Sequence, residues 1–171
     1  MKFCYTSRFL VSALAMFTTT HLMAAPATQT PSGAKAVIQK AYMAENAAAA
    51  RKDLKGQWKY RTADFVYTDQ SGARHTGEGL RSQEQMVYSH AKSIKATTRI
   101  EKFTLNNKTQ ATVIAAENAT VTFSNPQTRK NVVMKMSGRV RDTWVFRNAR
   151  WLKSQTKSLS QIVMMDGKRV Q

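Results

Sequence analysis

Along residues 34–52 apolar positions return at steps of three and four: Val37, Ala41, Ala44 and Ala48, with Ile38 and Tyr42 beside them. That period predicts an amphipathic helix, and the alanine run 47–50 suits close packing against a sheet. Asp53 follows as the cap of a short second helix reaching about Tyr60, its carboxylate accepting from exposed backbone amides. The period then changes. Residues 64–68 alternate as a strand and 70–73 (Gln-Ser-Gly-Ala) form a turn. A third helix is expected after Ser82, which has the capping-box spacing to Gln85. It would place Met86, Val87, His90, Ala91 and Ile94 on one face.

Beyond Ala96 the chain has strand character. Residues 97–105, 111–123, 132–146 and 151–164 are rich in Val, Ile, Thr and aromatic residues. If Asn148-Ala149 is a two-residue turn, Phe146 pairs with Trp151, Trp144 with Lys153, Asp142 with Gln155 and Val140 with Lys157. Alternation then puts Met134, Met136, Val140, Asp142, Trp144, Phe146 and Trp151 on one face with Lys153, Gln155 and Lys157. The opposite face carries Lys135, Arg139, Arg141 and Arg147 among hydroxyl residues. Helices first and a run of antiparallel strands afterwards imply an α+β domain, with helices on one face of a curved sheet.

The amino terminus has a different composition. Lys2 and Arg8 precede an apolar run, 9–17, and the small residues 24–27 follow. This is the layout of a secretory signal peptide, too short to span a bilayer. The expected organisation is a leader over 1–25, a polar linker over 26–33, one domain over 34–166 and a basic tail over 167–171. The sole cysteine, Cys4, lies in the leader, so the remainder has no disulfide and no thiolate metal site. Export without disulfides fits a bacterial periplasm or secretion. Loss of the leader leaves 25 basic residues against 10 acidic, a net charge of +15. Such a charge attracts anionic partners without choosing among them.

The order helix, short helix, strand, turn, helix and four long strands resembles the nuclear-transport-factor-2-like superfamily, in its SnoaL-like small-domain branch. The residues that carry the resemblance are the Ala/Tyr-rich first helix running into Lys52-Asp53-Leu54 and the Asp64-Phe65 strand. The third is the closing hairpin, 142–146, Asn148 and 150–153. Ala149 stands where relatives have glycine. The resemblance covers about residues 34–164. It implies a cystatin-like cone, three N-terminal helices packed on a curved, mainly antiparallel sheet with a pocket between them. Because the superfamily holds isomerases, dehydratases, binders and interaction domains, it implies no one activity.

The mixed hairpin face suits a small organic ligand, with Tyr60, Asp142, Trp144, Gln155 and Lys157 as ligand-binding candidates. Asp142 is either a general base or the partner of Lys157 in an ion pair, and Lys157 is available to an anionic group. Glu117 falls in phase with Ala111, Val113, Ala115, Ala119 and Val121. It is therefore either a buried acid–base group or half of a salt bridge. His90 is a catalyst or a packed rim residue. Two histidines without ligand spacing, His75 and His90, predict no metal, and no cofactor motif occurs.

Two functions follow from these residues. One is a non-catalytic domain that binds a small, anionic organic molecule, with a homodimer through the sheet face. The other is a cofactor-independent lyase or isomerase using Asp142, Glu117 or His90. The basic face lacks aromatic platforms for nucleic acid, and no segment is expected to enter a membrane.

Overall fold

The computed structural model describes residues 30–170 apart from 126 and 129. The leader and residues 26–29 of the linker lie outside the described residues. Helix α1 spans Pro31–Ala50, so it starts inside the segment expected to be linker. The signal is local. The Thr30 hydroxyl accepts from the Gly33 amide at 3.2 Å and Pro31 occupies the first helical turn, where its missing N–H costs nothing. The buried stripe runs through Ala34, Ile38, Ala41, Tyr42, Glu45, Ala48 and Ala49. Val37, expected inside, is about half exposed (48 %). Lys52 closes the helix at positive φ (57°), and Asp53 caps α2, Leu54–Trp58, by accepting from the Gly56 amide at 2.8 Å.

Strand β1 (Arg61–Thr68) begins three residues before Asp64 and pairs with the short β2 (Arg74–Thr76). Helix α3 covers Gly77–His90. Its start corrects the expectation of a cap at Ser82, because the N-cap is Thr76 and makes no side-chain hydrogen bond. Gly77 sits at a close approach. A Cβ there would lie 3.3 Å from the Trp58 ring. The end of α3 is a second correction. The chain passes straight into β3 (Ala91–Asn107), so Ala91 and Ile94 are buried as strand residues while Met86 is 65 % exposed.

Strands β4 (Gln110–Ser124), β5 (Asn131–Arg147), β6 (Arg150–Met165) and β7 (Lys168–Arg169) complete the sheet. The order is β2-β1-β6-β5-β4-β3, with β7 on β6. The β1–β6 pair is parallel and the others are antiparallel. The segment expected as a tail therefore contributes a short strand, turned by Asp166 and Gly167 at positive φ.

Asn148 and Ala149 form the predicted turn, with φ of 52° and 60°. The register near it is as expected: Phe146 opposite Trp151 and Trp144 opposite Lys153. Beyond that it slips. Ser154 is an extra residue, so Asp142 faces Thr156 and Val140 faces Ser158. A one-residue bulge exchanges the two faces of everything past it. Thr156 and Ser158 are buried, and Gln155 and Lys157 are exposed.

Two apolar clusters hold the helices to the sheet. One joins Ile38 and Tyr42 of α1 to Val113, Val140, Trp144 and Trp151. The other joins Ala49, Tyr88, Ile94 and Val121, with Met134 and Met136 against it. A cavity lies where they diverge.

Candidate functional site

Along the cavity wall and behind it runs a chain of linked charged and aromatic side chains. Asp142 is fully buried. Its Oδ2 accepts from the Tyr42 hydroxyl and its Oδ1 from the Thr156 hydroxyl, each at 2.5 Å. The Trp144 indole N–H donates to the same Tyr42 oxygen at 3.2 Å. Lys153 Nζ donates to Glu45 Oε2 at 2.8 Å and lies 3.7 Å from Asp142 Oδ2. It also sits 4.7 Å from the Tyr42 ring centre and 5.3 Å from that of Trp144. Arg61 continues the chain. Its Nε is 3.6 Å from Glu45 Oε1, and its terminal nitrogen donates to Glu84 Oε1 at 3.0 Å. The guanidinium packs 4.5 Å from Trp58 and 4.9 Å from Phe65. Trp58 in turn donates its indole N–H to Glu84 at 2.5 Å.

Burial shapes the acid–base properties of these groups. It pushes the Tyr42 hydroxyl well above the usual phenol range, and the Asp142 charge adds to the effect. Burial alone would lower the Lys153 ammonium. Glu45, Asp142 and Glu117 outweigh it and hold the group above ordinary lysine.

The cavity in front has a volume of about 360 Å³. Phe65, Leu80, Met136 and Val140 give it apolar walls, and Asn46, Thr98, Asn118 and Ser158 give it polar ones. Glu117 also lines it. This residue stands between Thr98 on β3 and Gly138 on β5, so no side chain covers it from the β5 side. Gly138 is fixed by packing, since a Cβ there would meet the Ser160 carbonyl at 2.3 Å. Among the described residues, no hydrogen bond or ion pair engages the Glu117 carboxyl. Burial first, and the Asp142 charge second, push it up to about 7, against the pull of Lys153. It is an unengaged carboxyl poised near neutral pH.

The other candidates are placed elsewhere. Asp142 and Trp144 are walled into the core behind the cavity, so Asp142 has no open face on which to act as a base. Its cationic neighbour is Lys153, not Lys157. Gln155 and Lys157 point to the opposite side of the sheet because of the Ser154 bulge. Tyr60 borders a separate depression of about 190 Å³ with Lys40, Lys59, Arg150 and Trp151. His90 is exposed at the end of α3, its Nδ1 hydrogen-bonded to the Met86 carbonyl at 2.9 Å. It faces away from the cavity walls. The residues that the sequence reading missed are Glu45, Arg61 and Glu84. Glu45 had a signal, since it lies on the same helical stripe as Ile38 and Tyr42. Among the described residues no three His, Cys, Asp or Glu side chains converge as metal ligands, and no helix is long and apolar enough to cross a membrane.

No protein-family model matches the sequence, and no curated protein matches it. Solved structures do match in shape. A conserved protein from Planctomyces limnophilus superposes with a TM-score of 0.64 at 14 % identity, over 77 % of this chain and 96 % of that one. A domain of unknown function with a cystatin-like fold from Nostoc punctiforme gives 0.56 at 9 % identity, over 75 % and 78 %. A hexachlorocyclohexane dehydrochlorinase, LinA-type3, from Novosphingobium barchaimii gives 0.54 at 12 % identity, over 77 % and 86 %. At such identities the likeness is one of fold. The chain has a cystatin-like α+β fold with an open, mixed sheet.

Proposed function

We propose that this is an exported, non-catalytic domain that binds a small organic molecule in the cavity between α1, α3 and the curved sheet. The observation that carries the reading is the Glu117 carboxyl. It is the one acid of the site without a protein partner among the described residues, and it faces open volume bounded by apolar walls. A cavity with few oriented polar groups among hydrophobic ones is what recognition of a small molecule requires. The charged groups around it, Asp142, Lys153, Glu45, Arg61 and Glu84, are bonded to each other. Among the described residues that leaves Glu117 as the one free acid, beside the polar Asn46, Thr98, Asn118 and Ser158, to orient a ligand. Export rests on the leader read from residues 1–25.

The test is native mass spectrometry of the full chain purified from its own source, with Ala119→Phe as the blocked form. Ala119 lines the cavity, and a phenyl ring there fills part of it. The unaltered protein should release a small molecule on denaturation. Ala119→Phe should carry at least about tenfold less of it while keeping a cooperative thermal transition. Equal ligand in both forms places the ligand elsewhere, and none in either overturns the reading.

A second reading, a cofactor-independent lyase or isomerase, is favoured by one observation. A carboxyl raised to about 7 is matched to proton abstraction at neutral pH. The likeness in fold to a hexachlorocyclohexane dehydrochlorinase supports this reading. That reading requires turnover that rises with pH through about 7 and disappears in Glu117→Gln.

A further inference from the structure

Both cationic side chains that line the cavity are already taken up by carboxylates. Arg61 is held by Glu84 at 3.0 Å and faces Glu45 at 3.6 Å, and Lys153 is held by Glu45 at 2.8 Å with Asp142 at 3.7 Å. Glu45, Glu84 and Asp142 thus set three acidic groups against two basic ones, and Glu117 is left over. The chain has 27 basic and 10 acidic residues. Even so, among the described residues four acids and only two bases gather at this site. Glu45 Oε1 and Arg61 Nε are both buried without a hydrogen bond and lie 3.6 Å apart, so this loose ion pair favours neither sign of ligand. An anion entering here would compete with Glu84 and Glu45, which already hold the terminal nitrogens of Arg61 and Lys153. A cation would meet an unengaged carboxyl in a place where the low dielectric strengthens the attraction.

Building on the binding reading above, we propose that the ligand is a cationic small molecule, an alkyl or arylalkyl guanidinium or ammonium. Its charged head lies at Glu117 and its apolar part lies against Phe65, Leu80 and Met136. Binding then depends on the Glu117 proton. The groups that face this carboxyl are Asp142 on β5, Lys153 on β6, Glu45 and Tyr42 on α1, Arg61 and Tyr67 on β1 and Glu84 on α3. From β3 only Ala96, Thr97 and Thr98 reach the cavity, and none of them titrates. Raising the pH through about 7 therefore turns a neutral site into an anionic one at Glu117.

Three probes of similar size separate the possibilities in calorimetric titrations of the full chain: 2-phenylethylguanidinium, 2-phenylethanol and 3-phenylpropionate. The guanidinium should bind at pH 8 at least about tenfold more tightly than the other two. Its affinity should fall by up to about 100-fold at pH 5, as one carboxylate takes up a proton. Glu117→Gln should abolish both the preference and the pH dependence. Should that variant not fold, the pH profile of the unaltered chain decides alone. Equal or tighter binding of the alcohol or the propionate overturns the cation while leaving the cavity as a binding site. If none of the three binds although a native ligand is retained, the ligand class is overturned. If no native ligand is retained either, the binding reading itself fails.

Discussion

An ionised Glu117 is costly to the fold. Its carboxyl is raised from 4.5 to about 7 by burial and by the Asp142 charge, so the native state holds this proton more tightly than the unfolded chain does. The linkage sign follows. The contribution is complete below about 4.5, and stability declines as pH rises toward about 7. At 1.36 kcal/mol per pH unit the shift amounts to about 3 kcal/mol. Glu117→Gln keeps the shape and does not titrate. The variant should exceed the parent by only about 1 kcal/mol at pH 5 and by about 3 kcal/mol at pH 8, measured by denaturant unfolding at both values. A difference that does not change with pH would mean that water or a neighbour already compensates the charge. That the most stabilising substitution should fall on a cavity residue is what a functional site leads one to expect.

At the scale of the element, the β5–β6 hairpin shows what was legible in the sequence and what was not. The Asn148-Ala149 turn was legible, because two central residues at positive φ are what a twisted hairpin demands. Ala149 meets that demand at φ 60°, a conformation that costs an L-residue about 1–2 kcal/mol and glycine little. Ala149→Gly should therefore stabilise the protein by about 1 kcal/mol after the entropy that glycine loses, seen as a higher melting temperature with the cavity unaffected. A lower melting temperature would show that the methyl group packs. The Ser154 bulge was not legible, because no residue preference marks it and the alternation continues past it. Asp142, before the bulge, fell on the inner face as expected. Gln155 and Lys157, beyond it, came out on the wrong side, and Thr156 took the place beside Asp142. Glu117 was placed correctly because β4 pairs with β5 without a register shift from Gln110 to Ser124. The α3–β3 boundary failed for another reason. Ile94 continues the helical period of Met86, Val87 and His90, and only tertiary pairing with Val121 makes it a strand residue.

Across the whole molecule the charge is segregated by depth. Among the described residues only Arg61 and Lys153 of the basic side chains line the cavity, and the outer face of the sheet carries Lys135, Arg139, Arg141 and Lys157, all exposed. Arg141 and Lys157 stand directly opposite each other on β5 and β6, a like-charged cross-strand pair that is unfavourable by itself. Arg139 is relieved by Glu101 at 2.7 Å. An anionic surface against this face would relieve the repulsion between Arg141 and Lys157, whereas the cavity is of the opposite sign. The two kinds of association should therefore separate with salt. Attraction between exposed charges is screened over a Debye length that falls from about 14 Å at 50 mM to about 4 Å at 500 mM. Co-sedimentation with phosphatidylglycerol vesicles should drop by at least about tenfold over that range. The affinity of the cavity for its guanidinium probe should change by less than about threefold, since low-dielectric contacts are screened far less. Arg141→Ser with Lys157→Ser should weaken vesicle binding at low salt and leave the cavity probe untouched. Parallel loss of both would mean that the probe is held at the surface. Vesicle binding unchanged by salt would mean that contacts other than charge hold the protein there.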